Sequence, residues 1–277
     1  MRKVERALAW FDETDFARHH PAMLRAVLLD LAGVVYDGEA PIAGSAEAIS
    51  RLRAAGLPVR FVSNTTRTPR RALVEQLAGL GISVADHEVI TPAGAAIAWL
   101  KKNHRTPHLA VHPKLVPEFD GPQFQGRPAV VLGDGGESFD YGVLNGAFRQ
   151  LMAGADFLAL ANNRVFKDSD GQPSLDAGAF VAALEFATGV KATVIGKPAP
   201  EFFRAALENM DCKPEQAAMV GDDAESDVAG ALAAGLKTAL LVRTGKYRAG
   251  DETRFQPPPT VVVEDLAAAV DWLLANG

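Results

Sequence analysis

From residue 24 the chain alternates short, wholly apolar runs with stretches whose apolar residues recur every third or fourth position. An uninterrupted Val- and Leu-rich run is the pattern of a strand buried on both faces, whereas three-four spacing is that of a helix with one buried face. Runs of the first kind fall at 26–31, 59–63, 217–220 and 238–242. Between them, 45–55 places Ala46, Ile49 and Leu52 on one helical face before Gly56, and 70–79 repeats the pattern before Gly81. A glycine just past the last periodic residue stops a helix because it alone enters the left-handed region freely. Regular alternation of this kind predicts an α/β fold, a doubly wound Rossmann-like parallel sheet with helices on both faces.

The middle of the chain repeats the theme more weakly. Strands are expected at 109–111, 129–132 and 157–161, helices at 141–152 and 177–188, and turn-rich stretches at 103–107 and 188–192 bound them. This reads as a smaller α/β cap domain, 105–190, inserted into a core formed by 24–104 and 191–277. The core pattern resumes with a strand at 193–195 and helices at 200–209 and 227–234. Residues 1–23, with Val4, Leu8 and Phe11 at helical spacing, read as an N-terminal extension without chemistry of its own.

Composition narrows the setting. A chain of 277 residues, 48% hydrophobic and 22% charged, has enough apolar material for a large domain and an insertion. A net charge of −6 disfavours nucleic acid and anionic membrane as partners. Cys212 is the one cysteine, so no intrachain disulfide can form. No apolar run approaches the roughly 18 residues of a membrane span, and Glu5, Asp12, Glu13 and Asp15 interrupt any apolar leader. A cytoplasmic location is the expectation.

Four short signatures lie at or just after expected strand ends: Asp30-Leu31-Ala32-Gly33-Val34, Phe61-Val62-Ser63-Asn64-Thr65, Gly196-Lys197-Pro198, and Val220-Gly221-Asp222-Asp223-Ala224-Glu225-Ser226-Asp227. Strand ends of a parallel sheet converge on one crevice. A carboxylate nucleophile, two short hydrogen-bonding side chains, one lysine and an acid cluster suit phosphoryl transfer, which needs charge neutralisation and in-line positioning. Asp30 and Asp222 are candidate ligands for Mg²⁺, which takes a few carboxylates and keeps waters.

In order and spacing, these signatures resemble those of the haloacid dehalogenase-like (HAD) phosphatases. The insertion between the second and third resembles the C2-type cap of the subgroup that includes nucleotide and pyridoxal-phosphate phosphatases. Gly136-Glu137-Ser138-Phe139, Pro200-Glu201-Phe202-Phe203 and Val242-Arg243-Thr244-Gly245-Lys246 carry the likeness further along the chain. The resemblance implies that Asp30 attacks phosphorus, that Ser63 and Asn64 hold phosphoryl oxygens, and that Lys197 neutralises charge between nucleophile and phosphate. It places Mg²⁺ on Asp30, the carbonyl of Ala32 and Asp222, with Asp227 orienting the metal site or Lys197 and Asp223 a weaker candidate for the same work. It also implies a homodimer formed through the cap and a small phosphorylated substrate. In the cap, Asn162, Asn163, Arg164 and Lys167 follow a strand and are candidate substrate contacts. Asp176-Ala177-Gly178-Ala179 resembles the family's specificity loop. Gly133-Asp134-Gly135-Gly136 reads as a turn, and His108 and His112, four apart on a strand, make a poor metal pair.

One position departs from the family. Asp is usual at the second residue after the nucleophile, where it protonates the leaving group, and here Ala32 stands there. Loss of a positioned acid costs on the order of 10²–10⁴ in rate when the leaving group needs a proton. The expectation is therefore a bias to good leaving groups such as those of pyrophosphate, phosphohistidine or phospholysine, with the base for the second step left open. Alternatives are a slow phosphate-ligand binder and a phosphonatase-like C–P hydrolase. The latter is disfavoured because no lysine lies between Asp30 and Ser63.

Overall fold

The computed structural model describes residues 23–168, 171–208 and 210–277, with the Lys167 side chain excepted. The extension read at 1–23 lies, Met23 aside, outside the described residues.

The chain enters the centre of a sheet at β1 (Ala26–Asp30), buried along its whole length. A small hairpin, β2 (Tyr36–Asp37) and β3 (Ala40–Pro41), leads to α1 (Ser45–Ala54), β4 (Val59–Val62), α2 (Arg70–Gly79), β5 (Val89–Ile90) and α3 (Pro92–Lys102). The insertion comprises β6 (Arg105–Ala110), α4 (Val116–Asp120), β7 (Arg127–Leu132), α5 (Tyr141–Met152), β8 (Asp156–Ala159), the hairpin β9 (Val165–Lys167) and β10 (Pro173–Leu175), α6 (Ala177–Thr188) and β11 (Thr193–Val194). The chain returns through α7 (Pro200–Leu207) and β12 (Ala217–Gly221). A π-helical turn (Ala224–Ala229) runs into α8 (Gly230–Ala233), followed by β13 (Thr238–Val242), α9 (Asp251–Arg254), β14 (Val261–Val263) and α10 (Leu266–Asn276).

The core sheet has six parallel strands in the order β14-β13-β12-β1-β4-β5. Successive side chains of a strand face opposite sides, and β1 shows why its sequence is apolar throughout. Val27 and Leu29 enter one hydrophobic cluster with Ile49, Leu52, Leu77, Val270 and Leu273. Ala26 and Leu28 enter the other, with Phe202, Phe203, Val228 and Ala231. After β1 the chain builds outward to β4 and β5, then returns on the other flank as β12. The sheet order therefore reverses between β1 and β12, and a crevice opens beyond their carboxyl ends.

The insertion carries a four-stranded parallel sheet, β11-β8-β7-β6. One face packs on α5 and α6, the other on α3 through Ala93, Ala96 and Leu100. Two boundaries therefore differ from the sequence reading. The strand expected to resume the core at 193–195 pairs instead with β8, Thr193 opposite Leu158, so the return crossing falls after Val194. The stretch 103–107, read as a turn because of its Asn and Pro, already contains the start of β6, which pairs from Arg105 opposite Arg127. The helix expected at 227–234 is divided between the π-helical turn and α8. Among the described residues no helix is long and apolar enough to cross a membrane.

Candidate active site

Asp30 is the last residue of β1, Ser63 follows β4, and Asp222 follows β12, so the three leave adjacent parallel strands at the point of reversal. Lys197 arrives from the loop between β11 and α7. Its Nζ donates to Asp30 Oδ1 at 2.5 Å and to Asp227 Oδ1 at 2.6 Å, and the residue is 3% exposed. Burial alone would push this ammonium down, but Asp227 and Asp30 hold it above the usual lysine range. Asp227 Oδ2 accepts from the Asp223 N–H at 3.2 Å, so both oxygens of Asp227 are engaged.

Asp30, Asp222 and Asp227 are all buried, and one carboxylate oxygen from each lies within 4.8 Å of the others. Three buried carboxylates against one ammonium leave negative charge in excess. Burial first, then Asp227 and Asp30, push the Asp222 carboxyl up to about 8. Burial likewise pushes Asp227 up to about 6, against the pull of Lys197. Asp222 Oδ2 accepts from the Lys246 N–H at 2.7 Å, whereas Oδ1 is buried with no hydrogen-bond partner. An orphaned carboxylate oxygen in an all-oxygen acidic cluster fits a hard divalent cation.

The chain around Asp222 is shaped to admit it. Gly33 and Gly245 have φ of +85° and +63°, and a Cβ at either would lie 2.0 Å from Asp222 Oδ2. Thr244 Oγ1 donates to the Gly33 carbonyl at 2.5 Å and ties the two loops together. Tyr36, buried behind β1, has its hydroxyl pushed up by burial and by the charge of Asp30.

Other candidates fall into separate groups. Ser63 is 7% exposed, and its Oγ accepts from the Thr65 N–H at 3.3 Å, leaving its own proton to donate. The Asn64 Nδ2 donates to the Lys197 carbonyl at 3.0 Å and its Oδ1 is buried without a partner, so one of its two amide N–H groups braces the lysine peptide. Ala32 is exposed. Asp223 caps the π-helical turn, Oδ1 accepting from Ser226 N–H at 2.9 Å and Glu225 N–H at 3.1 Å.

In the insertion, Asn162 and Arg164 are exposed and Asn163 partly so, while the side chain of Lys167 is outside the described residues. Asp176 is buried and caps α6 through the Ala177 N–H at 2.6 Å, and burial pushes its carboxyl up. The segment Gly133–Gly136, read as a plain turn, holds a residue the sequence reading missed. Asp134 is 3% exposed, and its Oδ2 accepts from Arg67 Nε at 2.6 Å. Arg67 and Asp134 line a cavity of about 630 Å³ together with His112, Ser138, Ser174 and Phe180. The one signal in the sequence was a charged residue flanked by glycines at a strand end, which turn chemistry explains equally well.

Comparison with known proteins agrees with this geometry. A family model described as haloacid dehalogenase-like hydrolase matches residues 27–125, and a second, HAD-hydrolase-like, matches 194–269. Haloacid dehalogenase-like hydrolase domain-containing protein 2 of Homo sapiens is 43% identical over 253 residues, 91% of this chain and 97% of that protein. The phospholysine phosphohistidine inorganic pyrophosphate phosphatase of Xenopus laevis is 43% identical over 260 residues, 91% of this chain and 96% of that one. The structure of a glycerol phosphate phosphatase from Mycobacterium tuberculosis in complex with magnesium superposes with a TM-score of 0.76 at 28% identity, covering 88% of this chain and 76% of that one.

Proposed function

Because the chain belongs to the haloacid dehalogenase-like hydrolases and is a phosphatase, we propose that it cleaves small phosphorylated substrates through an aspartyl-phosphate on Asp30 with Mg²⁺ at the acidic cluster. The observation that carries the reading is the position of Asp30: at the carboxyl end of the central strand, one oxygen bound by Lys197, with the partnerless Asp222 Oδ1 among the same converging carboxylates. Asp30, the Ala32 carbonyl and Asp222 would hold the metal, with Asp227 fixing Lys197. Bound there, Mg²⁺ offsets the charge of the carboxylates and of a phosphoryl oxygen.

The protein's own groups do the rest. Lys197 holds Asp30 in one orientation, so the second carboxylate oxygen faces the phosphorus. Ser63 donates its hydroxyl proton to a phosphoryl oxygen, helped by backbone N–H groups after Asp30. A bond forms from Asp30 to phosphorus, and the leaving group departs with the electron pair of its bond. Water then attacks the same phosphorus, the bond to Asp30 breaks, and inorganic phosphate leaves. Ala32 supplies no proton in the first step, which favours leaving groups stable without one. The name of the Xenopus laevis relative couples that protein to pyrophosphate and to phosphorylated nitrogen, which is the chemistry this substitution favours.

Phosphate release from pyrophosphate, phosphoimidazole and glycerol phosphate tests the proposal. Turnover of the first two should require both Asp30 and Mg²⁺ and disappear in Asp30→Asn. Undiminished release by Asp30→Asn would falsify the covalent route. Ala32→Asp should raise glycerol phosphate hydrolysis by about 10² or more. If that rate stays flat, Ala32 is not what restricts the substrate.

A further inference from the structure

The residues after Asn64 are held by the inserted domain, although they continue directly from Ser63. Thr66 Oγ1 accepts from the Asp134 N–H at 3.2 Å, and Arg67 Nε donates to Asp134 Oδ2 at 2.6 Å. The Arg67 guanidinium also lies 4.5 Å from the centre of the Phe166 ring, on the hairpin of the insertion. Asp134 is itself fixed, because its Oδ1 accepts from the Gly136 N–H at 2.9 Å.

The other end of this loop is fastened the same way. Helix α2 begins after Pro69, has no capping side chain of its own and carries no acid in its first turn. Four N–H groups at such an end need partners. Glu118, on α4 of the insertion, provides one: its Oε1 accepts from the Arg70 N–H. Its Oε2 is buried and has no hydrogen-bond partner. A carboxylate at a helix N-terminus is also favoured by the helix dipole. Thr66, Arg67 and Arg70 are thus anchored on the opposite domain, and of this stretch Asn64 alone has its side chain tied to the core return, at Lys197.

We propose that Asp134 and Glu118 are positioning residues for the phosphate-binding hydroxyl of Ser63. Through Thr66, Arg67 and the N-terminus of α2 they fix the segment 64–70, and the insertion thereby sets phosphate affinity without touching the phosphoryl group. Asp134 has both oxygens committed and Glu118 is turned into the interface, so neither is a substrate contact. The proposal rests on Ser63 as the phosphoryl ligand.

The test measures two affinities in each variant: inorganic phosphate by calorimetry at saturating Mg²⁺, and Mg²⁺ by thermal shift without phosphate. Asp134→Ala and Glu118→Leu should weaken phosphate binding on the order of tenfold, because a sub-ångström loss of alignment is felt at that scale. Their Mg²⁺ midpoint should hold within about twofold, since Asp30 and Asp222 sit on core strand ends. Glu118→Gln keeps an acceptor for the Arg70 N–H and should stay near wild type. If Asp134→Ala does not fold, Arg67→Gln, at a half-exposed side chain, removes the same ion pair. Unchanged phosphate affinity in Glu118→Leu and in Asp134→Ala or Arg67→Gln, or an equal loss of Mg²⁺ affinity, overturns the proposal. Ser63→Ala is the control: if it leaves phosphate affinity intact, Ser63 is not the phosphoryl ligand and the positioning role falls with that reading.

Discussion

Replacing Asp222 by asparagine should stabilise the metal-free protein, and by an amount that depends on pH. Asp222 is 2% exposed, faces two other carboxylates, and is pushed up to about 8 from an ordinary 3.8. At pH 7 the folded protein therefore holds a proton there that the unfolded chain does not, so stability falls as pH rises between about 4 and about 8. The penalty at pH 7 is the distance from 3.8, about three pH units at 1.36 kcal/mol each, or about 4 kcal/mol. At pH 5.5 it is about 2 kcal/mol by the same reckoning. The three carboxylates share protons, so these figures are ceilings for Asp222 alone. Asparagine keeps the shape and cannot ionise. Urea unfolding in chelator at the two pH values should thus show Asp222→Asn more stable than wild type, with the gap widening toward neutrality. Saturating Mg²⁺ should narrow the gap, since wild type gains about 2.7 kcal/mol at a hundred times its dissociation constant and the variant loses a ligand. A gap that is constant with pH, or a wild type more stable at pH 8 than at 5.5 once the variant's own trend is subtracted, would refute the argument that unbalanced charge is stored at this position.

Two further substitutions probe the same cluster. Lys197→Met leaves Asp30 and Asp227 buried without their ammonium, which should cost about 3–5 kcal/mol in metal-free urea unfolding. Part of that loss should return on acidification, and phosphate release should cease; a variant as stable as wild type at pH 8 would mean the ion pairs contribute nothing. Gly245→Ala puts a methyl group 2.0 Å from Asp222 Oδ2 at a φ of +63°, so the Mg²⁺ midpoint in a thermal-shift titration should rise about tenfold or more, and an unchanged midpoint would show that Asp222 does not bind the ion.

The parallel core was legible because its strands are covered on both faces, and such strands must be apolar throughout. β13 was read at its observed bounds, as were α1 to within a residue and α5 and α6 end to end. What escaped the pattern was short or mixed. β5 and β14 span only two and three residues, too few to show a period. α3 is Ala-rich, with Ala93, Ala96 and Leu100 turned to the insertion sheet. β11 has only two residues and reads as the resumption of the core pattern, while its hydrogen bonds run to β8. Candidate site residues were easiest to read where a charge interrupts an apolar strand end, as at Asp30 and Asp222. Arg67 and Glu118 gave no such signal and Asp134 only one that a turn explains equally well, because their partners are 67 and 48 positions apart in sequence and only tertiary contact unites them.

The two halves of the site are therefore anchored differently. Asp30 and Asp222 stand on neighbouring strands in the middle of one sheet, where β1 and β12 are paired from Ala26 opposite Ala217 to Leu29 opposite Val220. Their separation is a property of the core alone. Lys197 is reached through β11, and the Ile195 and Gly196 N–H groups donate to the carbonyls of Ala159 and Leu160, so the lysine leaves directly from the insertion sheet. The loop after Ser63 is held by Asp134 and Glu118 of the same domain. Under the roles proposed above, a shift of the insertion would move the lysine and the loop after Ser63 together while leaving the strand ends that carry Asp30 and Asp222 in place. Under those roles, phosphate affinity and the hold of Lys197 on Asp30 depend on the inserted domain, whereas the spacing of the strand ends that carry Asp30 and Asp222 does not.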